Sequence, residues 1–150
     1  MDLFAASSID IRSCYVMGYL NFERVVFQKD VRLMRTVFGK KVSFSHSHFL
    51  SNSNFMGSCF GGENPVELWD KCGADFSYVQ FDGHAEFDQA QFDRTARFKC
   101  AKLKAANFRL AYFCMNADFR HVLFNGDVTF TNSTFTKDSL FTRGHNLEIQ

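Results

Sequence analysis

The chain has 150 residues, enough for one domain of ordinary size, and its formal net charge is +1. This balance gives no overall field toward nucleic acid or an anionic membrane, and the longest apolar runs are too short to cross a bilayer. The composition is unusual in having 20 phenylalanines but only one proline and one tryptophan.

A regular hydrophobic spacing begins at residue 9 and continues to residue 60. Large apolar residues recur at alternating steps of five and six residues, and most positions two residues earlier hold residues that are larger than alanine or hydroxylated. Residues 1 to 8 precede the pattern and are predicted to form an N-terminal cap, with Leu3 and Phe4 as plugs. The centres of the pattern are Ile11, Val16, Phe22, Phe27, Leu33, Phe38, Phe44, Phe49, Phe55 and Phe60.

Residues 61 to 73 interrupt this spacing. Continuing it would place Lys71 in an apolar interior, where an unpaired ammonium group is costly. Asn64 is a good N-cap, Pro65 suits the first helical position, and Glu67 stands where a capping box has its acid. The segment is therefore predicted to be a protruding loop with a short helical turn.

Two interpretations of this loop remain open. In the first it is a harmless insertion, with Trp69 lying back over the wall of the repeat structure. In the second it is a recognition site, because a lone tryptophan on a protruding loop is typical of a binding hot spot. The candidate partner-binding residues are Glu63, Glu67, Leu68, Trp69 and Asp70.

The spacing is densest from residue 74 to residue 141. It again alternates between five and six, with an extra step of five around Leu103. On an α-helix, residues five apart diverge by about 140°. On a strand, the large residue and the small residue two positions earlier both face inward, so the repeat predicts a β-solenoid. The predicted core ladder is Phe76, Phe81, Phe87, Phe92, Phe98, Leu103, Phe108, Phe113, Phe119, Phe124, Phe130, Phe135 and Phe141.

One short motif recurs within this second block, in the segments 74–76, 106–108 and 117–119, which read Ala-Asp-Phe, Ala-Asn-Phe and Ala-Asp-Phe. It resembles the pentapeptide repeat, whose unit is Ala-(Asp/Asn)-(Leu/Phe) followed by two variable residues. The resemblance implies an all-β fold, a right-handed, four-sided parallel β-helix with one unit per side. It supplies no catalytic motif. We expect a single solenoid domain over residues 1–150.

Charges in the second block are segregated by coil. At 21 or 22 residues per coil, residues 74–95 carry a net charge of −4 and residues 96–116 a net charge of +5. We predict that these charges pair across coils and fix the register, each exposed pair contributing about 0–1 kcal/mol. The alternative is that one face stays unpaired and binds a charged partner. The predicted pairs are Asp75–Arg97, Arg97–Asp118, Asp82–Lys104 and Asp88–Arg109.

No catalytic, metal or cofactor site is predicted. His46 and His48 could share a side, but a metal site needs three or four converging ligands. The threonines at 129, 131, 134 and 136 are interpreted as strand formers rather than an ice-binding array, because they fall on two sides of one coil. No nucleophile arrangement or phosphate-binding glycine loop is evident, and a phenylalanine-filled solenoid has no interior cavity for a substrate.

The last predictions from the sequence concern the C-terminal tail and the cysteines. Residues 142 to 150 include no amphipathic helix to cap the open end, so either a second copy pairs there in an end-to-end homodimer or the chain is a piece of something longer. Five cysteines without a C-x-x-C pair predict reduced thiols in a cytoplasmic protein. Residues 1 to 8 lack the features of a signal peptide.

Taken together, these features predict a non-enzymatic protein–protein interaction scaffold that presents the solenoid faces and the loop to a protein partner. No direct binding of nucleic acid or membrane is expected. The best-understood relatives implied by the resemblance look like duplex DNA and bind DNA gyrase or related topoisomerases. A DNA mimic is therefore the alternative, and it requires a long acidic face. A purely structural repeat module is the second alternative.

Overall fold

The computed structural model describes residues 3–61 and 72–141, which form 22 short strands and no helix. The strands stack in parallel on four sides, numbered here in chain order, over six coils that each start on side 1. Side 1 contains β1 (Leu3–Ala5), β5 (Val25–Phe27), β9 (His48–Phe49), the first half of β13 (Gln80–Glu86), the first half of β16 (Lys102–Asn107) and β19 (Leu123–Phe124).

The other three sides are built in the same way. Side 2 contains β2 (Ile9–Asp10), β6 (Val31–Arg32), β10 (Ser53–Asn54), the second halves of β13 and β16, and β20 (Val128–Thr129). Side 3 contains β3 (Tyr15–Val16), β7 (Val37–Phe38), β11 (Cys59–Phe60), β14 (Gln91–Phe92), β17 (Tyr112–Phe113) and β21 (Thr134–Phe135). Side 4 contains β4 (Leu20–Asn21), β8 (Val42–Ser43), β12 (Cys72–Asp75), β15 (Thr95–Arg97), β18 (Ala117–Phe119) and β22 (Ser139–Phe141).

The four sides form three sheets, because β13 and β16 run through the corner between sides 1 and 2. These two strands join sides 1 and 2 into one ten-stranded sheet, while sides 3 and 4 are separate six-stranded sheets. The predicted all-β solenoid is confirmed, and this arrangement is consistent with its right-handed, four-sided form.

Phenylalanine rings stack along the axis on all four sides. Phe98 lies between Phe76 and Phe119, with ring centroids 4.9 Å apart in both directions. This distance matches the spacing of strands in a sheet, so one ring per coil forms a continuous column. Rings of the opposite sides 2 and 4 meet edge to face across the interior, as Phe98 does with Phe108. Every predicted ladder residue from 76 to 119 is buried, whereas Phe124, Phe135 and Phe141 in the last coil are only partly buried.

The small inward positions differ between the two repeat blocks. In the second block they hold mainly alanine, which is completely buried. In the first block Thr36, Ser47 and Ser58 occupy equivalent positions and are equally buried. Their hydroxyls donate to backbone carbonyls, for example from Ser47 to Phe44 at 2.6 Å. The backbone near the corners therefore satisfies these three hydroxyls, whereas the equally buried hydroxyl of Ser53 has no hydrogen-bond partner among the described residues.

Left-handed residues form the corners that follow sides 2 and 4. Ten non-glycine residues there have φ between 52° and 59°. The Asp or Asn of the repeat motif explains how such a corner is held. Asp75 Oδ1 accepts a hydrogen bond from the backbone N–H of Ser77 at 3.0 Å, just before Tyr78 at φ 58°, and Asn107 accepts in the same way from Arg109.

The extra step of five around Leu103 falls at the corner between sides 1 and 2. Phe81 pairs with Leu103, a separation of 22 residues, but Ala85 pairs with Ala106, a separation of 21. The corner of the fifth coil is thus one residue shorter than that of the fourth, and the ladder absorbs the difference as an irregularity in register.

The first coil is described from residue 3 onward. Leu3–Ala5 pairs with Val25–Phe27 as a regular strand, so these residues belong to the solenoid wall. The prediction that Leu3 and Phe4 plug the open end is wrong, because their side chains are 67% and 66% exposed. Strand alternation turns Phe4 outward, and Leu3 occupies an inward position with no described coil in front of it.

Three predicted features lie partly or wholly outside the described residues: the start of the cap, the helical turn of the loop, and the tail from residue 142 onward. Within the described ranges, no helix has the length and apolar character needed to span a membrane.

Candidate interaction surfaces

Two of the predicted charge pairs link the fourth coil to its neighbours. Arg97 and Asp75 are register partners on side 4, with Nη1 and Oδ2 3.8 Å apart. Arg109 donates from Nη2 to Asp88 Oδ2 at 2.9 Å, and Asp88 is only 8% exposed. The Arg109 pair is the closer and the better shielded from solvent, so it is the stronger of the two interactions.

Asp82 takes a different partner from the one that the sequence suggested. Its Oδ2 lies 2.6 Å from His48 Nε2 of the third coil, and Gln80 donates to its Oδ1 at 2.8 Å. The hydrogen bond from Gln80 lowers the pKa of Asp82 against the effect of partial burial, and His48 adds to the lowering. The charge of Lys104 also acts on Asp82, but more weakly than these contacts.

Asp118 pairs within its own corner rather than with Arg97. The two residues are register partners, but Arg120 donates to both carboxylate oxygens of Asp118 at 2.9 and 2.7 Å. Partial burial by itself raises the pKa of Asp118, but the hydrogen bonds from Arg120 outweigh it and the pKa is lowered. A side chain two residues along a tight corner reaches the carboxylate more readily than one on the next coil.

The described surface mixes charged and neutral residues along the axis of sides 2 and 4. On side 4 the outward positions read, from the first coil to the sixth, Asn21, Ser43, Asp75, Arg97, Asp118 and Leu140. On side 2 they read Asp10, Arg32, Asn54, Glu86, Asn107 and Thr129. Neither column is a continuous acidic stripe.

Replacing Arg109 with alanine is expected to lower the free energy of unfolding by about 1–2 kcal/mol, because it leaves a buried carboxylate without its charged partner. Arg97→Ala is the matched control, since Arg97 and Arg109 are equally exposed, at 45%. The control is expected to cost less than about 1 kcal/mol. Urea denaturation followed by far-UV ellipticity measures the free energy of unfolding of both variants. Equal losses would show that the Arg109 pair contributes no more to stability than the Arg97 pair.

The loop is attached to the solenoid by two glycines in contact. The chain leaves side 3 after Phe60 and returns on side 4 in β12, so the insertion occupies one corner of the third coil. A Cβ added to Gly73 would lie 3.2 Å from Gly61 Cα. Arg94 of the next coil covers this junction, and its Nε donates to the Gly61 carbonyl at 3.2 Å. The insertion therefore has a closed base.

The five candidate partner-binding residues, Glu63, Glu67, Leu68, Trp69 and Asp70, lie outside the described residues. The structure describes the base that holds their segment and not their own contacts.

An open groove of about 690 Å³ lies on the corner between sides 1 and 2. It extends from His84 of the fourth coil to Asp127 and Thr129 of the sixth, across Asn107. We attribute the groove to the shortened corner of the fifth coil, which is set back between its longer neighbours. The extra step of five around Leu103 was the sequence signal for it, but spacing alone gives no side-chain chemistry.

Among the described residues, no group of three or more histidines, cysteines and carboxylates could hold a metal ion. His46 stacks on Tyr78, with ring centroids 4.6 Å apart, while His48 contacts Asp82. Cys14, Cys59, Cys100 and Cys114 form no disulfide in the described part of the chain, and Cys59 Sγ donates to Asp93 at 3.1 Å.

Comparison with known proteins bears on the first repeat block. A family model for pentapeptide repeats, described as nine copies, matches residues 22–64. A search of curated proteins gave no match. The motif that carries the resemblance in the sequence lies in residues 74–141, but the strands of both blocks stack in one register on the same four sides. The match and the motif therefore describe one continuous solenoid.

Proposed function

The chain belongs to the pentapeptide-repeat family, and from this premise we propose that it is a protein–protein interaction scaffold with the 61–73 loop as its contact site. The family is generally non-enzymatic. In this proposal the scaffold works in the cytoplasm and needs no cofactor.

The observation that carries the proposal is the closed base of the loop. Gly61 and Gly73 touch, and Arg94 fixes the carbonyl of Gly61 from the next coil. A loop that leaves and returns at one point does not disturb the stacking of sides 3 and 4, so it is free to evolve as a recognition element. The wall behind it is rigid, because aromatic columns fill the interior.

The mixed charge of sides 2 and 4 favours a scaffold over a DNA mimic. Duplex DNA presents regularly spaced negative charges along its length. On side 4 the acids at 75 and 118 are separated by Arg97, and each acid has an arginine partner. A partner that recognises phosphates would meet arginine in the middle of this column.

The experiment is affinity capture from a lysate of the native host with three baits: the intact chain, a chain whose residues 62–72 are replaced by a short Gly/Ser link, and Trp69→Ala. The link keeps both stem glycines, so the solenoid is expected to retain its ellipticity. We expect a protein held by the intact bait alone, and its purified form should bind Trp69→Ala at least about tenfold more weakly.

Each other outcome of this experiment decides against the proposal. Equal retention of one protein by all three baits places the contact on the solenoid wall. Salt-sensitive retention of topoisomerase subunits by all baits supports the DNA mimic. An intact bait that retains no protein supports a purely structural module.

A further inference from the structure

The first coil, residues 3 to 22, exposes more large apolar side chains than any other described coil. It contains six of the twelve that the described residues expose. Met17 is 76% exposed and Tyr15 is 53% exposed, both on the outside of side 3. At the position of side 1 where the first coil has Phe4, the fifth coil has Lys102. The six residues are Leu3, Phe4, Ile11, Tyr15, Met17 and Tyr19.

The same coil also has a backbone edge that no described residue covers. The N–H groups of Ile9, Ile11 and Ser13 donate to the second coil. Because alternate residues of a strand point their backbone groups to opposite edges, Asp10 and Arg12 direct theirs away from the solenoid. No described residue lies over this edge, and an unpaired strand edge is a template for pairing with another chain.

Sides 1 and 3 of this coil have the same kind of edge. The carbonyl of Ala5 accepts from Gln28 and that of Val16 accepts from Gly39, both in the second coil. By the same alternation, Phe4 and Ala6 on side 1, and Tyr15 and Met17 on side 3, present their backbone groups to the free edge.

We propose that this end binds a second copy of the chain, N-terminal coil to N-terminal coil, about a two-fold axis through side 2. A coil advances about 4.8 Å over four sides, so sides 1 and 3 lie about equally far above and below side 2. A two-fold rotation about this axis places side 1 of one copy against side 3 of the other. The gap between those sides equals the gap between the two copies of side 2, so sides 1, 2 and 3 can all make contact at once.

The residues that face one another in this arrangement are complementary. On side 2, Asp10 lies opposite Arg12 of the second copy, and Arg12 lies opposite the second Asp10. On sides 1 and 3, Phe4 lies opposite Met17 and Ala6 lies opposite Tyr15. Facing strands run antiparallel, so the free backbone groups of each strand meet those of the other. The Arg12 guanidinium already binds Asp10 in its own chain and has donors left for a second carboxylate.

Other two-fold axes give poorer contacts. An axis through side 1 sets side 2 against side 4 and brings Asp10 toward Glu23, a pair of like charges. It also brings two copies of side 1 together before the other sides can meet. The charges of Asp10, Arg12 and Glu23 therefore favour the axis through side 2.

Sedimentation equilibrium of the full chain tests this proposal. The wild type is expected to be a dimer. Arg12→Asp leaves four acids in the centre of the interface and Asp10→Arg leaves four arginines, so each variant alone is expected to weaken the dimer by roughly tenfold or more. An equal mixture of the two variants places acids against arginines and is expected to recover the wild-type association. Lys137→Asp, at an exposed position in the sixth coil, is the control and should leave association unchanged.

Far-UV ellipticity checks that each variant is folded. Should Arg12→Asp fail to fold, Met17→Glu tests the apolar part of the same interface. The proposal is overturned by a wild type that stays monomeric at all concentrations, by a dimer that both charge variants leave intact, or by a mixture that associates no better than its components.

Discussion

Phe98→Ala is expected to lower the free energy of unfolding by about 3–5 kcal/mol. Phe98 is completely buried in the fourth coil and stacks on Phe76 and Phe119. Its ring also meets Phe87 and Phe108 edge to face. Removing it leaves a cavity that the ladder of backbone hydrogen bonds holds open, because neighbouring coils cannot collapse without losing register.

Urea denaturation followed by far-UV ellipticity measures this loss. Tyr112→Ala is the control, since it removes a ring of similar size from a position that is 40% exposed and lies far from the first coil. The control should change the stability of the chain by less than about 0.5 kcal/mol. Comparable losses for the two variants would contradict the view that the stacked interior columns hold the coils together. Because repeat proteins can unfold in segments, the shape of the transition should be compared as well as its midpoint.

The phenylalanine spacing was sufficient to predict the sides, the coils and the interior. One large and one small inward residue per side leave little choice of strand register, since any other register would expose phenylalanine side chains to water. The spacing also predicted the interruption after Phe60. The strand before it lies on side 3 and the next described strand lies on side 4, so no side is skipped.

Side-chain partners on the surface were harder to predict than backbone neighbours. The spacing correctly set Asp118 opposite Arg97, yet the carboxylate binds Arg120 two residues along its own chain. The register between neighbouring coils follows from counting residues, but an exposed side chain can pair with any of several partners at similar free energy. Asp82 shows the same limit, because His48 and Gln80 reach it more closely than Lys104 does.

The repeat spacing also did not predict the structure at the N-terminal end of the solenoid. Leu3 and Phe4 read as a plug because both are apolar and precede the regular spacing. The structure instead uses Leu3–Ala5 as a first strand. The pattern of a strand three residues long cannot be told from that of a plug, since only pairing with the second coil fixes which side chain faces outward.

Gly83→Ala is expected to lower the free energy of unfolding by about 1–3 kcal/mol, or more if the corner cannot move. Gly83 lies in β13 at the corner between sides 1 and 2. A Cβ there would stand 2.4 Å from the carbonyl oxygen of Ser51 and 2.8 Å from the backbone nitrogen of Asn52. These atoms belong to the backbone of the third coil, so relief requires the two coils to separate locally. Gly126→Ala should behave alike, because its Cβ would meet the Lys104 carbonyl oxygen at 2.1 Å.

Gly18→Ala is the control that isolates this close approach. Nothing lies within 4 Å of a Cβ at Gly18, and its backbone is not left-handed. The control is expected to be neutral or to raise stability by up to about 1 kcal/mol, since alanine restricts the unfolded chain. Thermal unfolding of the three variants separates the explanations. If Gly83→Ala and Gly18→Ala shift the midpoint alike, the corners tolerate a side chain and coil-to-coil contact there does not determine the choice of glycine. If only Gly83→Ala and Gly126→Ala lose stability, the glycines set the distance at which successive coils stack on this edge.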